Sequence, residues 1–230
     1  MSAACVTVST VSSQGTGRGS IPTAALQLLV VKPVPFVAAK ALLVKHHYLH
    51  SMPGGTRLAF GVLKDDRLLG ALTFGAGPAN AYRLVANAAP DDCLTLSRLW
   101  LSDELPANSE SRVMGIALSA LKKHTDFKFI VSYADPSQGH LGTIYQATGW
   151  TYTGLSEAMP MFDLGDGRVR HSRSLSHSLG SHSIRYFEEQ GLEVKVVPQS
   201  RKHRYIYFLD LNCRDQLTVP VYPYPKKEQI

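Results

Sequence analysis

Cysteine is scarce in this chain: of 230 residues only Cys5, Cys93 and Cys213 are cysteines, far apart and with no C-x-x-C pair. That spacing offers neither a disulfide framework nor a thiolate zinc site, and it points to a reducing compartment. Long apolar runs are also lacking. None approaches the roughly eighteen residues needed to cross a bilayer, so no membrane partner is expected. The Ser/Thr/Gly-rich start, Ser2 to Ser20, has no basic segment leading into an apolar one, so residues 1–25 read as a disordered arm rather than a secretory leader.

What charge the chain has is unevenly placed. From Arg168 onward there are eleven Lys/Arg against six Asp/Glu, so this stretch carries +5 of the formal +6. A basic end on a nearly neutral body fits a polyanionic partner, most often nucleic acid, while bare solubility is the plainer reading. The length suits one domain with a sizeable core and an appendage.

Periodicity orders the elements. Leu26 to Val31 reads as a strand, and Pro35 opens a helix with Val37, Ala41, Val44 and Tyr48 on one stripe. His46, His47, Tyr48 and His50 crowd its end. Leu58–Leu63 and Leu68–Phe74 form a hairpin around Lys64-Asp65-Asp66-Arg67. In Leu94–Leu101, alternation puts Arg98 on the face of Leu94, Leu96 and Trp100, where a guanidinium needs a partner. A helix with Val113, Ile116, Ala117, Ala120 and Leu121 in its stripe follows. Next comes a strand from Phe127 to Tyr133, an Asp135-Pro136 elbow, a helix capped by Ser137 and bearing Tyr145, and Gly149 at its C-cap. Thr151–Leu155 is a further strand. His171, His177 and His182 fall in a polar loop and read as surface residues. Short strands are expected at Leu192–Val197 and Arg204–Leu211.

Strand, helix, hairpin, strand, helix, strand, helix, strand is the order of the GNAT acyltransferase fold. The expected class is therefore α/β (α+β), a mixed, mainly antiparallel sheet flanked by helices. The domain reading is an arm at 1–25, a core at 26–160 and a basic C-terminal extension at 161–230. The words His46-His47-Tyr48-Leu49-His50, Phe74-Gly75, Leu96-Ser97-Arg98-Leu99-Trp100, Ser132-Tyr133-Ala134-Asp135-Pro136 and Lys202-His203-Arg204-Tyr205 resemble the Mom DNA-modification proteins of Mu-like phages. That resemblance implies a transferase that converts adenine to its N6-acetamido (carbamoylmethyl) form in double-stranded phage DNA, in the cytoplasm of a bacterial host, and so blocks restriction. Because N6 is engaged in base pairing, the target adenine is expected flipped out or on a locally opened strand.

The resemblance also assigns residues. Asp135 is the expected base or orienting group, although an Asx turn before Pro136 is its plain structural role. Tyr145 sits where many GNAT enzymes keep a proton-donating tyrosine; otherwise it is a packed aromatic. Arg98 is expected to pair with Asp135 or to bind a donor phosphate or carbonyl. His47 and Tyr48 border the cleft. Ser132, Tyr133, Lys202, His203, Arg204 and Tyr205 are expected to hold substrate, the last four by phosphate contacts and base stacking, with a solvated strand edge as the alternative. Iron has been proposed for the family; His47 and Asp135 are the candidates, yet no metal-ligand spacing is evident.

The acyl donor stays open between acetyl-coenzyme A and glycyl-tRNA. Ordinary GNAT enzymes hold pyrophosphate on an R/Q-x-x-G-x-G/A loop, whereas this chain has Asn108-Ser109-Glu110-Ser111-Arg112, leaving Ser109, Ser111 and Arg112 as the candidate cofactor contacts. An acetamide contains a nitrogen that an acetyl group cannot supply and a glycyl ester can. The rivals are a GNAT-like transferase acting on a protein or small molecule, an N6-adenine methyltransferase suggested by Asp135-Pro136-Ser137-Gln138, and a non-catalytic nucleic-acid-binding protein on the same scaffold.

Overall fold

Turn chemistry fixes the centre of the sheet. In this computed structural model, which describes residues 29–158, 161–171, 175, 178–180, 183–198 and 201–227, strands β2 (Thr56–Lys64) and β3 (Arg67–Gly75) are joined by Asp65-Asp66. Both aspartates have positive φ, 50° and 58°, the backbone of a two-residue turn whose twist matches that of the strands it joins. The expected arm at 1–25 and the expected loop positions His177 and His182 lie outside the described residues.

β1 (Val30–Pro33) pairs antiparallel with β2, and β4 (Cys93–Leu101) pairs antiparallel with β3. β5 (Phe129–Ala134) runs parallel to β4, but for three pairs only, Cys93↔Phe129, Leu94↔Ile130 and Thr95↔Val131. Beyond Thr95 and Val131 the two strands carry no further ladder pairs. With β6 (Thr151–Leu155) and β10 (His203–Phe208), the seven-stranded order is β1-β2-β3-β4-β5-β10-β6. This is the mixed, mainly antiparallel sheet expected, and it rules out the parallel doubly wound sheet that a methyltransferase would need. In that strand order β10 is an interior strand, so Lys202-His203-Arg204-Tyr205 leads into the sheet and is no solvated edge.

A bulge corrects the face assigned to Arg98. The β3–β4 register runs Thr73↔Arg98 and then Phe74↔Leu96, which leaves Ser97 as an extra residue in β4. Paired residues point to the same side of a sheet, and an inserted residue inverts the alternation. Leu94 and Leu96 therefore face with Phe74, whereas Arg98 and Trp100 face with Thr73 and Ala71.

Helix α1 (Phe36–His46) covers that second face, burying Ala39 and Leu43 against Ala59 and Ala71. The stripe read from sequence does not: Val37 is 76% exposed and Tyr48 45%. Apolar residues lie all round this helix, so the small side chains of the sheet, not periodicity, choose the buried side. In α2 (Ser109–His124) Val113, Ala117 and Leu121 are buried as expected, with Met114 and Leu118 completing the face.

By its internal contacts the chain forms two compact units. The first comprises the described residues through Ser132, Ile144–Thr151 and Tyr205–Pro220; the second comprises Tyr133–Thr143, Tyr152–Arg204 and the described residues from Val221. The second includes a three-stranded sheet of β7 (Met161–Asp163), β8 (Val169–His171) and β9 (Lys195–Val197), in the order β8-β7-β9. Phe162, Leu175 and Phe187 of α4 (Ile184–Glu189) form its core. Among the described residues no helix is long and apolar enough to cross a membrane.

Candidate active site

In the first unit, chemistry gathers where β4 and β5 part. Ser132, one residue past the last ladder pair, is buried, and its Oγ lies 2.8 Å from the Tyr145 hydroxyl and 3.4 Å from the Leu96 carbonyl. Tyr145 comes from the short helix α3 (Thr143–Ala147), which ends at Gly149 in the left-handed conformation expected. Its ring packs 5.1 Å from both Trp150 and Tyr205. Burial raises its pKa above the usual tyrosine range, Ser132 opposes the shift, and Tyr48 adds to it. Tyr145 is thus held as a protonated hydroxyl, the state a proton donor requires.

The Arg98 guanidinium is half-buried and donates to the Ser51 carbonyl through Nε (3.0 Å) and to the Ser97 carbonyl through Nη1 (2.7 Å). Burial lowers its pKa, and Tyr48 is close enough to offset part of that. Tyr48 therefore bears on both Arg98 and Tyr145. Its ring lies 4.4 Å from His47, which is buried and whose Nδ1 accepts from the Leu49 N–H at 3.2 Å. His46 stacks on Trp100 at 4.3 Å.

In the second unit, Asp135 Oδ1 accepts from the Ser137 N–H (3.0 Å) and from the Ser137 hydroxyl (2.7 Å), capping the single 3₁₀ turn Pro136–Gln138. Its Oδ2 lies 3.4 Å from Lys202 Nζ. Ser137 therefore serves the elbow and not the cap of α3, and Asp135 is oriented by Ser137 and Lys202. The expected Arg98–Asp135 pair is corrected: carbonyls hold the guanidinium, because the Ser97 bulge turns it toward α1. Tyr133 is half-buried.

β10 redistributes the remaining substrate candidates. Tyr205 is fully buried and its hydroxyl accepts from Gln146 Nε2 at 3.1 Å, so it is a core residue and no exposed base stacker. Arg204 donates to Thr153 Oγ1 (2.9 Å) and to the Thr153 carbonyl (3.2 Å), which ties it to β6. His203 Nδ1 meets the Tyr152 hydroxyl at 2.8 Å, and burial lowers its pKa. An aromatic does stand exposed in the same unit: Tyr222 is 49% exposed, its N–H donates to the Tyr152 carbonyl, and its ring lies over Gly154.

At the α2 entrance the side chains named as cofactor contacts bond locally. The Ser109 hydroxyl donates to the Pro106 carbonyl at 2.6 Å and the Ser111 hydroxyl to the Asn108 carbonyl at 3.1 Å, so both cap their own turn. Arg112 is exposed and Glu110 occupies the first turn. Among the described residues no group of three or more His, Cys, Asp or Glu is placed to hold a metal ion, His47 Nδ1 is taken by the Leu49 N–H and Asp135 by Ser137 and Lys202, so the site lends iron no support. Burial pushes the Cys93 thiol up to about 12, which removes it as a nucleophile.

Sequence reasoning missed Thr73. It is fully buried, it pairs with Arg98 across β3 and β4, and its hydroxyl has no hydrogen-bond partner. Its only signal in the sequence is a polar residue within the apolar run Leu68–Phe74.

The chain matches the Mom protein family over residues 28–226. It is 28% identical over 204 residues to the methylcarbamoylase mom of Escherichia phage Mu, covering 86% of this chain and 84% of that protein. Among solved structures it is similar to an N-acetyltransferase from Staphylococcus aureus Mu50, at 10% identity, 79% of this chain, 97% of that chain and a TM-score of 0.43. It is also similar to a variant of the SpeG spermidine N-acetyltransferase from Vibrio cholerae, at 9% identity, 79% and 94% coverage and a TM-score of 0.46. With its family match running through nearly all of the described chain, this protein belongs to the Mom protein family.

Proposed function

We propose that the protein is a DNA-modifying transferase that places a carbamoylmethyl group on adenine N6 and so shields phage DNA from restriction. The observation that carries this reading is the Tyr145–Ser132 pair, with Tyr48 bearing on Tyr145 and Arg98 alike, at the point where β4 and β5 separate. Methylcarbamoylase, the name of the phage Mu relative, describes a group with a nitrogen of its own. An acetyl donor lacks that atom. The local bonding of Ser109 and Ser111 likewise gives no support to a pyrophosphate cradle, so glycyl-tRNA is the favoured donor over acetyl-coenzyme A.

In this scheme the adenine amine attacks the glycyl ester carbonyl, forming an amide and releasing the tRNA 3′ hydroxyl, to which Tyr145 delivers a proton. The freed glycyl amine then attacks C6 through a five-membered ring. Opening of the original C6–N6 bond leaves N6-carbamoylmethyladenine, with the old N6 as its amide nitrogen. The proton from the attacking amine passes to a general base. Flipping of the target base is part of the proposal.

The test supplies purified protein and unmodified DNA with either glycyl-tRNA or acetyl-coenzyme A, and weighs the digested nucleosides. A carbamoylmethyl adduct with glycyl-tRNA alone is the expected result. An acetyl or methyl adduct, or none with either donor, refutes the scheme.

A further inference from the structure

The face of the sheet under α1 carries an arrangement unused by these roles. Register sets Ala59, Thr73 and Arg98 side by side across β2, β3 and β4, with Ala71 and Gly75 on either side of Thr73 along its own strand. The next row is Thr56, Gly75 and Thr95. The hydroxyls of Thr56, Thr73 and Thr95 are all buried and have no hydrogen-bond partner. Gly75 lies between Thr56 and Thr95 with the Gly55 carbonyl packed over it, and Gly77 packs on the Thr95 hydroxyl, so the unpaired hydroxyl that the register sets beside the guanidinium is that of Thr73.

Arg98 has five N–H groups, of which two are spent on Ser51 and Ser97. Among the described residues no carboxylate pairs with it, and the titratable group that bears on it is Tyr48, itself a donor when protonated. A partly buried cation without a counter-ion and a buried hydroxyl without a partner are each costly. A ligand bringing acceptor oxygens and negative charge satisfies both at once.

We propose that Thr73 and Arg98 form a subsite for a phosphodiester oxygen of the nucleic-acid or nucleotide substrate. The assignment rests on the transferase reading above, whose two substrates, a DNA strand and a tRNA or coenzyme donor, carry phosphate esters and no carboxylate. The guanidinium fork offers the charge and the paired geometry, and the threonine offers a neutral donor that would otherwise be unmet.

The experiment compares wild type, Thr73→Val, Thr73→Ser and Arg98→Lys. Thermal unfolding is read alongside binding of three probes at one salt concentration: an adenine-containing single-stranded oligodeoxynucleotide, deacylated tRNA and coenzyme A. Thr73→Val is expected to keep or raise Tm, because it replaces an unpaired hydroxyl by a methyl of the same shape. It should weaken binding of one probe about tenfold, Thr73→Ser should restore that binding, and Arg98→Lys should lose it. The probe affected identifies the source of the phosphate. Loss confined to coenzyme A, in a wild-type protein that leaves DNA unmodified, keeps the subsite and removes the DNA reading. Unchanged affinity for all three probes in Thr73→Val, a marked fall in its Tm, or failure of wild type to bind any probe overturns the subsite.

Discussion

Tyr145→Phe separates the chemical role of the hydroxyl from its structural one. The ring stays to pack on Trp150 and Tyr205, and only the 2.8 Å contact with Ser132 is lost. Such a bond contributes about 1 kcal/mol net, which in a chain of this size lowers Tm by about 3 °C. Loss of a general acid costs at least about a hundredfold in rate, or about 2.7 kcal/mol. The kinetic loss should therefore exceed the stability loss nearly threefold. Single-turnover modification of an oligonucleotide gives the first quantity and thermal unfolding the second. Burial raises the Tyr145 pKa, so the hydroxyl should remain a donor to at least about pH 10, the ordinary tyrosine value. The sign for stability follows. A raised folded-state pKa gives a contribution fully present below the unfolded value and lost as pH rises through the folded one. Wild type should therefore lose stability above about pH 10 more steeply than Tyr145→Phe. Modification by the variant within threefold of wild type would refute the assignment, as would identical alkaline unfolding profiles.

Tyr205→Ala should destabilise the fold by about 3–5 kcal/mol in urea titration, because the side chain is fully buried; normal stability with weakened DNA binding would restore it to the interface. Gly77→Ala should cost about 1–3 kcal/mol or more, since φ there is +63° and a Cβ would stand 2.0 Å from Thr95 Oγ1; an unaltered denaturation midpoint would contradict this. Lys226→Glu with Lys227→Glu, at two exposed positions, should weaken DNA binding and flatten its salt dependence by about 0.9 logarithmic units for each phosphate contact removed. Arg204→Glu, by contrast, should lower Tm, because Arg204 bonds to Thr153. Unchanged DNA affinity in the first of these pairs would place the phosphate contacts elsewhere.

Local chemistry made much of the fold legible. Asp65-Asp66 between alternating runs marks a hairpin, Asp135-Pro136 ends a strand, and Gly149 ends a helix, each for reasons confined to a few residues. The site was legible where it depended on those elements: Tyr145 follows from the elbow and the short helix after it. Arg98 was misplaced because one inserted residue, Ser97, inverts the alternation, and nothing in Leu96-Ser97-Arg98-Leu99 announces a bulge. Tyr205 and Arg204 were misread for a different reason. Basic and aromatic residues alternate in a nucleic-acid strip and in an interior strand alike, and only the pairing partner distinguishes them. The Asp135–Lys202 pair escaped notice because it joins residues far apart in sequence.

The place of β10 between β5 and β6 governs the order in which the protein can be made. β6 leaves the ribosome about fifty residues ahead of β10, roughly 3–10 s at about 5–20 residues per second. Throughout that interval β5 and β6 each show a bare edge on the side that β10 will fill, and such an edge invites pairing with foreign chains. Until His203–Phe208 emerges, β6 has no strand to join it to the rest of the sheet, so the last strand made is also the one that completes the sheet.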